Sequence, residues 1–232
     1  YALGAWKVSD IPFVEGRGGP VRLNKNEIRS LATSTGSEVS EHHRDGMAIP
    51  SYTHKNPLIN WLVWKRIGVA VKLARLKGSE TVLDFGCGCG VMLPTLSRDA
   101  KKTIAVDLFP QFAKELCKRR NLENVEFARG LDNILENSVD VVFAIEVMEH
   151  LDNPLEFASK FHSKLKKGGT IIVSGPTENT FYKAARIVAG FHGKEEYHHQ
   201  NVDHIIKCLK EAGFYEEALT TLPFSFPPYL YK

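Results

Sequence analysis

The sequence predicts an α/β domain built on a doubly wound, mostly parallel sheet, and three observations carry that expectation. Short apolar runs alternate with amphipathic stretches at helical spacing from about residue 80 to residue 215. The first run, Thr81-Val82-Leu83-Asp84-Phe85, passes straight into Gly86-Cys87-Gly88-Cys89-Gly90, with glycine at every other position, as a buried strand entering a tight loop does. A later run, Val139 to Ala144, is almost continuously apolar, the pattern of a central parallel strand covered on both faces.

At 232 residues the chain is long enough for one sizeable domain with a substantial core and one active site. Thirty Lys and Arg against 27 Asp and Glu give a net charge of +3, too evenly scattered to point to nucleic acid by itself. Cys87, Cys89, Cys117 and Cys208 form no regular framework. Together with the lack of a membrane-length apolar run or a signal peptide, this leads us to expect a reduced, cytoplasmic compartment. The spacing of Cys87 and Cys89 is C-x-C inside the glycine loop, which argues against a redox or metal pair.

Residues 1–55 read as an arm, partly irregular, because Gly16 to Pro20 and Thr33 to Ser40 show no sustained periodicity. Glu41-His42-His43-Arg44-Asp45 reads as a solvated polar loop, since adjacent histidines point in different directions. From Asn56 as N-cap, with Pro57 at the first helical position and Gly78 beyond the end, the punctuation predicts a helix opening a domain over 56–232. Val63, Trp64, Ile67, Ala70, Val71 and Ala74 share the face expected on the sheet. The other side mixes lysines with Leu58, Leu62, Val69 and Leu76, a face suited to covering a substrate, touching a membrane surface or lying under neighbouring chain.

After the glycine loop, Val91 to Arg98 is expected as a short helix and Lys102 to Asp107 as a second buried strand ending in an acid. A helix over Gln111 to Arg120 and a strand over Asn124 to Ala128 follow, with Arg129 to Asp132 as the terminal loop. After Val139 to Ala144 come a helix over Asp152 to Lys166, a turn at Lys167-Gly168-Gly169 and a strand over Thr170 to Ser174. Residues 176–200 are an aromatic and basic insertion that reads as a lid. Asp203 to Phe214 reads as a helix ending at Gly213, and Glu217 to Leu222 as a last strand.

Glycines without Cβ let another molecule lie against the loop backbone, and the acid Asp84 suits a cationic ligand better than a pyrophosphate. This D-x-G-x-G-x-G spelling resembles motif I of the class I S-adenosylmethionine-dependent methyltransferases. Glu146-Val147-Met148-Glu149-His150 through Pro154 resembles the E-V-x-E-H-x-x-x-P segment of small-molecule methyltransferases, the ubiquinone-type O-methyltransferases among them. The resemblance covers about residues 80 to 215. It implies a Rossmann-like, mostly parallel, seven-stranded methyltransferase sheet and S-adenosyl-L-methionine as cofactor, with S-adenosyl-L-homocysteine as product. The implied binding residues at the loop are Asp84, Gly86, Cys87, Gly88 and Gly90. Asp107 would accept both ribose hydroxyls. Leu108 and Leu131 would be apolar walls of an adenine slot, Asp132 the acid near the adenine amino group, and Glu146 a residue near the cofactor. The usual pattern puts the acid directly after the glycine, where this chain has Leu131, and lysine replaces proline in the family's L-x-P-G-G turn.

An acceptor hydroxyl or carbon must lose a proton, and His150 is the candidate base. Glu146, Glu149 and His150 with His198 or His199 would make an oxygen-rich shell for a divalent cation; many relatives with this segment are metal-free, and no metal is expected. A turn of the N-P-P-Y type is missing after the fourth strand, which argues against DNA. No cysteine lies between Cys117 and Cys208 to serve as a cytosine-5 nucleophile. The expected acceptor is a small hydrophobic or lipid-like metabolite, methylated on oxygen or carbon, and peripheral membrane contact is a further expectation. The alternatives are an RNA methyltransferase, a nicotinamide-dependent oxidoreductase and a non-catalytic nucleotide-binding module.

Overall fold

The computed structural model describes residues 3–4, 18–34, 49–175 and 200–222, which fall into two units: Glu15–Ile134, and Tyr1–Val14 with Leu135–Lys232. The chain opens on a two-residue strand, β1 (Leu3–Gly4), and then enters the Glu15–Ile134 unit.

Within the stretch expected as a partly irregular arm, this unit carries a helix that was not foreseen. Lys25–Ser34 is a helix, α1, whose short apolar face is Ile28 and Leu31. Its signal is a cap: the Glu27 amide donates to Asn24 Oδ1 at 2.8 Å, which satisfies one of the orphan amides of a helix start. Leu23, Ile28 and Leu31 are buried beneath it. A bidentate pair from Arg120 to Glu27, at 2.7 and 2.6 Å, fastens it to the helix Gln111–Arg120. A single turn, α2 (Ile49–Tyr52), leads to α3 (Pro57–Ala74), capped by Asn56, whose side chain accepts the Leu58 amide at 2.9 Å. The helix stops earlier than the glycine signal at Gly78 suggested, because Arg75 takes the left-handed conformation, φ 49°, and its amide returns to the Lys72 carbonyl.

Three parallel strands form the sheet of this unit, in the order β4 (Val125–Phe127), β3 (Lys102–Val106), β2 (Thr81–Phe85). Helix α4 (Leu93–Asp99) links β2 to β3, and α5 (Gln111–Arg120) links β3 to β4. Leu93 of α4 and Ala113 and Cys117 of α5 form one buried cluster with Ala105 of β3 and Cys87, while Leu96, Phe112, Leu116, Val82 and Leu83 are likewise buried. Parallel pairing needs such crossovers, which is why acids and glycines collect at the strand ends while the strands themselves read as apolar.

In the other unit β5 (Val139–Ile145) pairs in parallel with β6 (Leu165–Ser174), β1 pairs antiparallel with β6, and β7 (Leu219–Thr220) antiparallel with β1. Helices α6 (Pro154–Lys164) and α7 (Val202–Glu211) belong to the same unit; Asn153 and Asn201 cap them. The turn expected at Lys167-Gly168-Gly169 is instead a bulge inside β6. Val139 faces Leu165 and Val141 faces Thr170, so residues 166–169 oppose Asp140 alone. Lys166 folds back onto the Asp140 carboxylate at 2.8 and 2.9 Å. The described strands thus include five that run parallel, β2 to β4 in one unit and β5 and β6 in the other. The lid expected over 176–200 lies outside the described residues up to its last position, as do Glu41 to Asp45, His198, His199 and the chain beyond Leu222.

Candidate functional site

The end of β2 is held against the end of β3 by its backbone. The amides of Gly86 and Cys87 both donate to the Val106 carbonyl, at 2.8 and 3.2 Å, so the chain leaves the strand in a tight curl. The Gly90 amide closes the curl on the Cys87 carbonyl at 2.8 Å. Gly86, Gly88 and Gly90 have φ of 74°, 53° and 80°. A side chain is strained at such angles, and this alternation is the physical content of the G-x-G-x-G spelling. At Gly90 space is also short: a Cβ would stand 3.1 Å from Cα and Cβ of Ala113, so α5 can approach only a glycine.

Asp107 follows β3, and its carboxylate reaches the curl. Oδ2 accepts the Gly88 amide at 2.7 Å and Oδ1 accepts the Phe109 amide at 2.9 Å. Each oxygen keeps a second lone pair, so two further donors can be accommodated. Asp84, the acid in β2, is buried, and its Oδ2 has no hydrogen-bond partner among the described residues. Burial, reinforced by the negative charge of Asp107, pushes its carboxyl up to about 7. An orphaned buried carboxylate oxygen beside a bare backbone curl is a place where a cationic donor group would repair an existing cost.

Sequence reasoning passed over two residues of the same unit. Arg66 on α3 and Tyr52 on α2 are buried, and both Arg66 and Asp84 act electrostatically on the Tyr52 phenol, whose pKa burial pushes up. The available signal was the position of Arg66, a charge set inside the apolar stripe of Val63, Ile67 and Ala70 where a solvent-facing residue is not expected. The thiols of the loop are not poised as nucleophiles. Burial, followed by the charges of Asp84 and Asp107, holds Cys87 well above the usual thiol range, and burial takes Cys89 up to about 12.

Of the other predicted residues in this unit, Leu108 is 91% exposed, Leu131 is buried and begins a short 3-10 turn, Leu131–Asn133, and Asp132 on that turn is exposed.

The second unit carries the segment after β5. Glu146 has φ 58°, a conformation that a non-glycine residue adopts only under constraint. Two hydrogen bonds to one residue supply the constraint: its amide donates to the Ser174 carbonyl at 3.2 Å, and Ser174 Oγ donates to Glu146 Oε1 at 2.7 Å. Burial of the carboxyl, and then the neighbouring carboxylate of Glu149, raise the Glu146 pKa well above the usual range. Glu149 is buried on a 3-10 turn, Met148–His150, and its carbonyl accepts the Gln200 amide at 3.3 Å. His150, on the same turn, faces solvent. Among the described residues no three of His, Cys, Asp and Glu come together as a metal site. A cavity of about 490 Å³ lies toward the other end of β6, lined by His162, Lys166, Ile205, Leu209 and Phe214. Glu146 and Ser174, at the carboxyl end of the parallel strands, do not line it.

Comparison with known proteins places the chain in context. The family model described as "Methyltransferase domain" matches residues 65–219. A ubiquinone biosynthesis O-methyltransferase of Xanthomonas campestris pv. campestris (strain B100) is 33% identical over 113 residues, which cover 46% of this chain and 46% of the relative. A tRNA U34 carboxymethyltransferase of Actinobacillus pleuropneumoniae serotype 3 (strain JL03) is 30% identical over 179 residues, covering 68% of this chain and 53% of the relative. These matches thus span about half the length of the two curated relatives. Among solved structures, a SAM-dependent methyltransferase from Aquifex aeolicus superposes with a TM-score of 0.54 at 20% identity, over 90% of this chain and 96% of the other. That likeness establishes the Rossmann-like methyltransferase fold.

Proposed function

Because the chain belongs to the methyltransferase-domain family, whose model spans residues 65–219, we propose that it transfers the methyl group of S-adenosylmethionine to oxygen or carbon of a small, hydrophobic or lipid-like metabolite. The observation that carries the cofactor part is the contact of Asp107 with Gly88 at 2.7 Å, which fixes a carboxylate from one strand end against the bare backbone of the next. In this reading the open lone pairs of Asp107 accept the two ribose hydroxyls, and Gly86, Cys87, Gly88 and Gly90 give the nucleoside and its tail a surface without obstructing side chains. Asp84 meets the ammonium of the amino-acid tail, while Arg66 and Tyr52 meet its carboxylate; a buried anion and a buried cation around one phenol suit a zwitterion. Leu108 and Leu131 border the adenine, with Asp132 beside its amino group. The bound cofactor supplies an electrophilic sulfonium methyl.

Methyl transfer is an in-line displacement, so the protein contributes alignment and exclusion of water rather than covalent help. Glu146, locked by Ser174, is proposed to lie near the cofactor, and His150 to take the acceptor proton. The finer elements of the fold, the seven-stranded doubly wound sheet and a lid at 176–200 that closes over an apolar acceptor, belong to the same proposal. The ubiquinone-type resemblance of the Glu146 to Pro154 segment supports the small-molecule acceptor. A second reading, methylation of RNA, is favoured by the longer match to the tRNA U34 relative, 68% of this chain against 46%.

Titration with S-adenosylhomocysteine and with NAD tests the cofactor. Tight NAD binding without S-adenosylhomocysteine binding would reverse the proposal. Methyl transfer from labelled cofactor to a lipid extract or to total tRNA then separates the acceptor classes, and the RNA reading requires binding that weakens steeply with salt.

A further inference from the structure

Helix α3 is apolar on two sides. The face toward the protein buries Val63, Trp64, Ile67 and Ala70. The opposite face, at the spacing i, i+3, i+4, i+7, i+11 and i+14, presents Leu58, Trp61, Leu62, Lys65, Val69 and Lys72. Leu58 is 67% exposed and Trp61 40% exposed, while Lys72 faces solvent and Leu62, Lys65 and Val69 are partly covered. Large apolar side chains turned outward on successive turns of one helix are unusual on a surface that meets only water.

The charge along this stretch of chain has one sign. No Asp or Glu occurs between Asp45 and Glu80, whereas Lys55, Lys65, Lys72, Arg75 and Lys77 all lie in that stretch. Lys55, Arg75 and Lys77 are exposed beyond the two ends of the helix. The Lys65 ammonium stands 4.7 Å from the centre of the Trp61 ring, which puts a cation at the edge of the apolar stripe. An indole beside leucines, flanked by lysines long enough to reach outward, is the composition of a helix lying in a membrane interface.

We propose that this outward face of α3 docks on an anionic lipid bilayer, with Leu58, Trp61 and Leu62 entering the boundary between headgroups and acyl chains and Lys65 and Lys72 meeting lipid phosphates. The aliphatic residues decide between polyanions. RNA offers phosphates and flat bases but nothing that would bury Leu58, Leu62 and Val69 at once, and a bilayer offers both. The inference stands on exposure and charge alone and is independent of which acceptor is methylated.

The test is co-sedimentation of the full chain with phosphatidylcholine vesicles, with and without phosphatidylglycerol, at low and high salt. Binding is expected only with the anionic lipid, falling at high salt and falling roughly tenfold or more in the double variant Lys65→Glu/Lys72→Glu. The pair Leu58→Ser/Trp61→Ser should lose binding as well, and Leu58→Ser alone, whose side chain is 67% exposed, should weaken binding with unchanged melting. Equal binding to neutral vesicles, or undiminished binding in any of these variants, overturns the proposal. So does retention of single-stranded RNA without vesicle binding, or a dimer that Trp61→Ser dissociates without vesicle binding; these would assign the face to nucleic acid or to a second copy of the chain.

Discussion

The Asp107 carboxylate and the Gly88 amide meet at 2.7 Å, so an acid from one strand end fixes the curl that follows the neighbouring strand. Hydrogen bonds to a charged acceptor contribute about 2 kcal/mol each, and removal leaves the amide to water. Asp107→Ala is therefore expected to weaken S-adenosylhomocysteine binding roughly thirtyfold or more by calorimetry, since it deletes both the proposed ribose acceptor and the brace of the loop. Asp107→Asn, which keeps one acceptor oxygen, should fall between the two. Affinity unchanged in Asp107→Ala would remove the ground for the cofactor site.

Asp84 makes a prediction with a sign. Its folded pKa of about 7 lies above the free value of 3.8, so folding takes up this proton between about pH 4 and pH 7. The group is thus least harmful below the lower value and costs up to about 1.4 kcal/mol per pH unit as pH rises through the window. Asp84→Asn, which carries no charge to bury, should melt above the wild type at pH 8, with the difference shrinking toward pH 5. Cofactor affinity should move the other way. A cationic tail binds the ionised acid, so wild-type affinity is expected to rise by up to about tenfold per unit toward pH 7 and then level off, and the Asn variant to be weak and flat. A wild type that gains on the variant with rising pH in melting experiments would contradict the orphaned-acid account.

Much of this unit was legible because its constraints are written in residue types. Glycine is the cheap residue at φ near 80°, and an acid at a strand end is visible beside apolar neighbours, so the loop, Asp84 and Asp107 could be read in advance. Helix α1 was hard to read, because its apolar face is only the pair Ile28 and Leu31, and a cap and a distant ion pair from Arg120 complete what holds it. Arg66 was overlooked although it sits inside the apolar stripe of Val63, Ile67 and Ala70, because a single charge in such a stripe does not alter the helical period that was read. The bulge in β6 read as a turn because Gly168 and Gly169 serve either purpose, and only the pairing of Val141 with Thr170 separates them.

Glu146 was legible as chemistry but not as conformation. At φ 58° a glutamate carries strain that glycine lacks. Elsewhere glycine is the less stable choice than alanine by roughly 0.5–1 kcal/mol. Here the order should invert: Glu146→Gly is expected to outlast Glu146→Ala by about 1 kcal/mol, or roughly 2–4 °C in melting temperature. Both lose the Ser174 hydroxyl bond, so the comparison isolates the backbone. Both should also lose methyl transfer, and an active Glu146→Ala would free this residue from the proposed site.

Two glycines with nearly the same backbone angle separate strain from crowding. Gly168 has φ +81° and no heavy atom within 4 Å of where a Cβ would stand, whereas Gly90 has φ +80° and three atoms at 3.1 Å, two of them on Ala113. Gly168→Ala should cost only the left-handed penalty, about 1 kcal/mol. Gly90→Ala adds overpacking against α5, where backbone rather than a flexible tip must yield, and is expected to cost about 2–4 kcal/mol in chemical denaturation. It also pushes the helix from the loop, so S-adenosylhomocysteine affinity should drop in Gly90→Ala and stay unchanged in Gly168→Ala. Equal losses of stability in the two variants would mean that α5 is free to move away from the curl, and that the third glycine of the motif is there for its backbone angle alone.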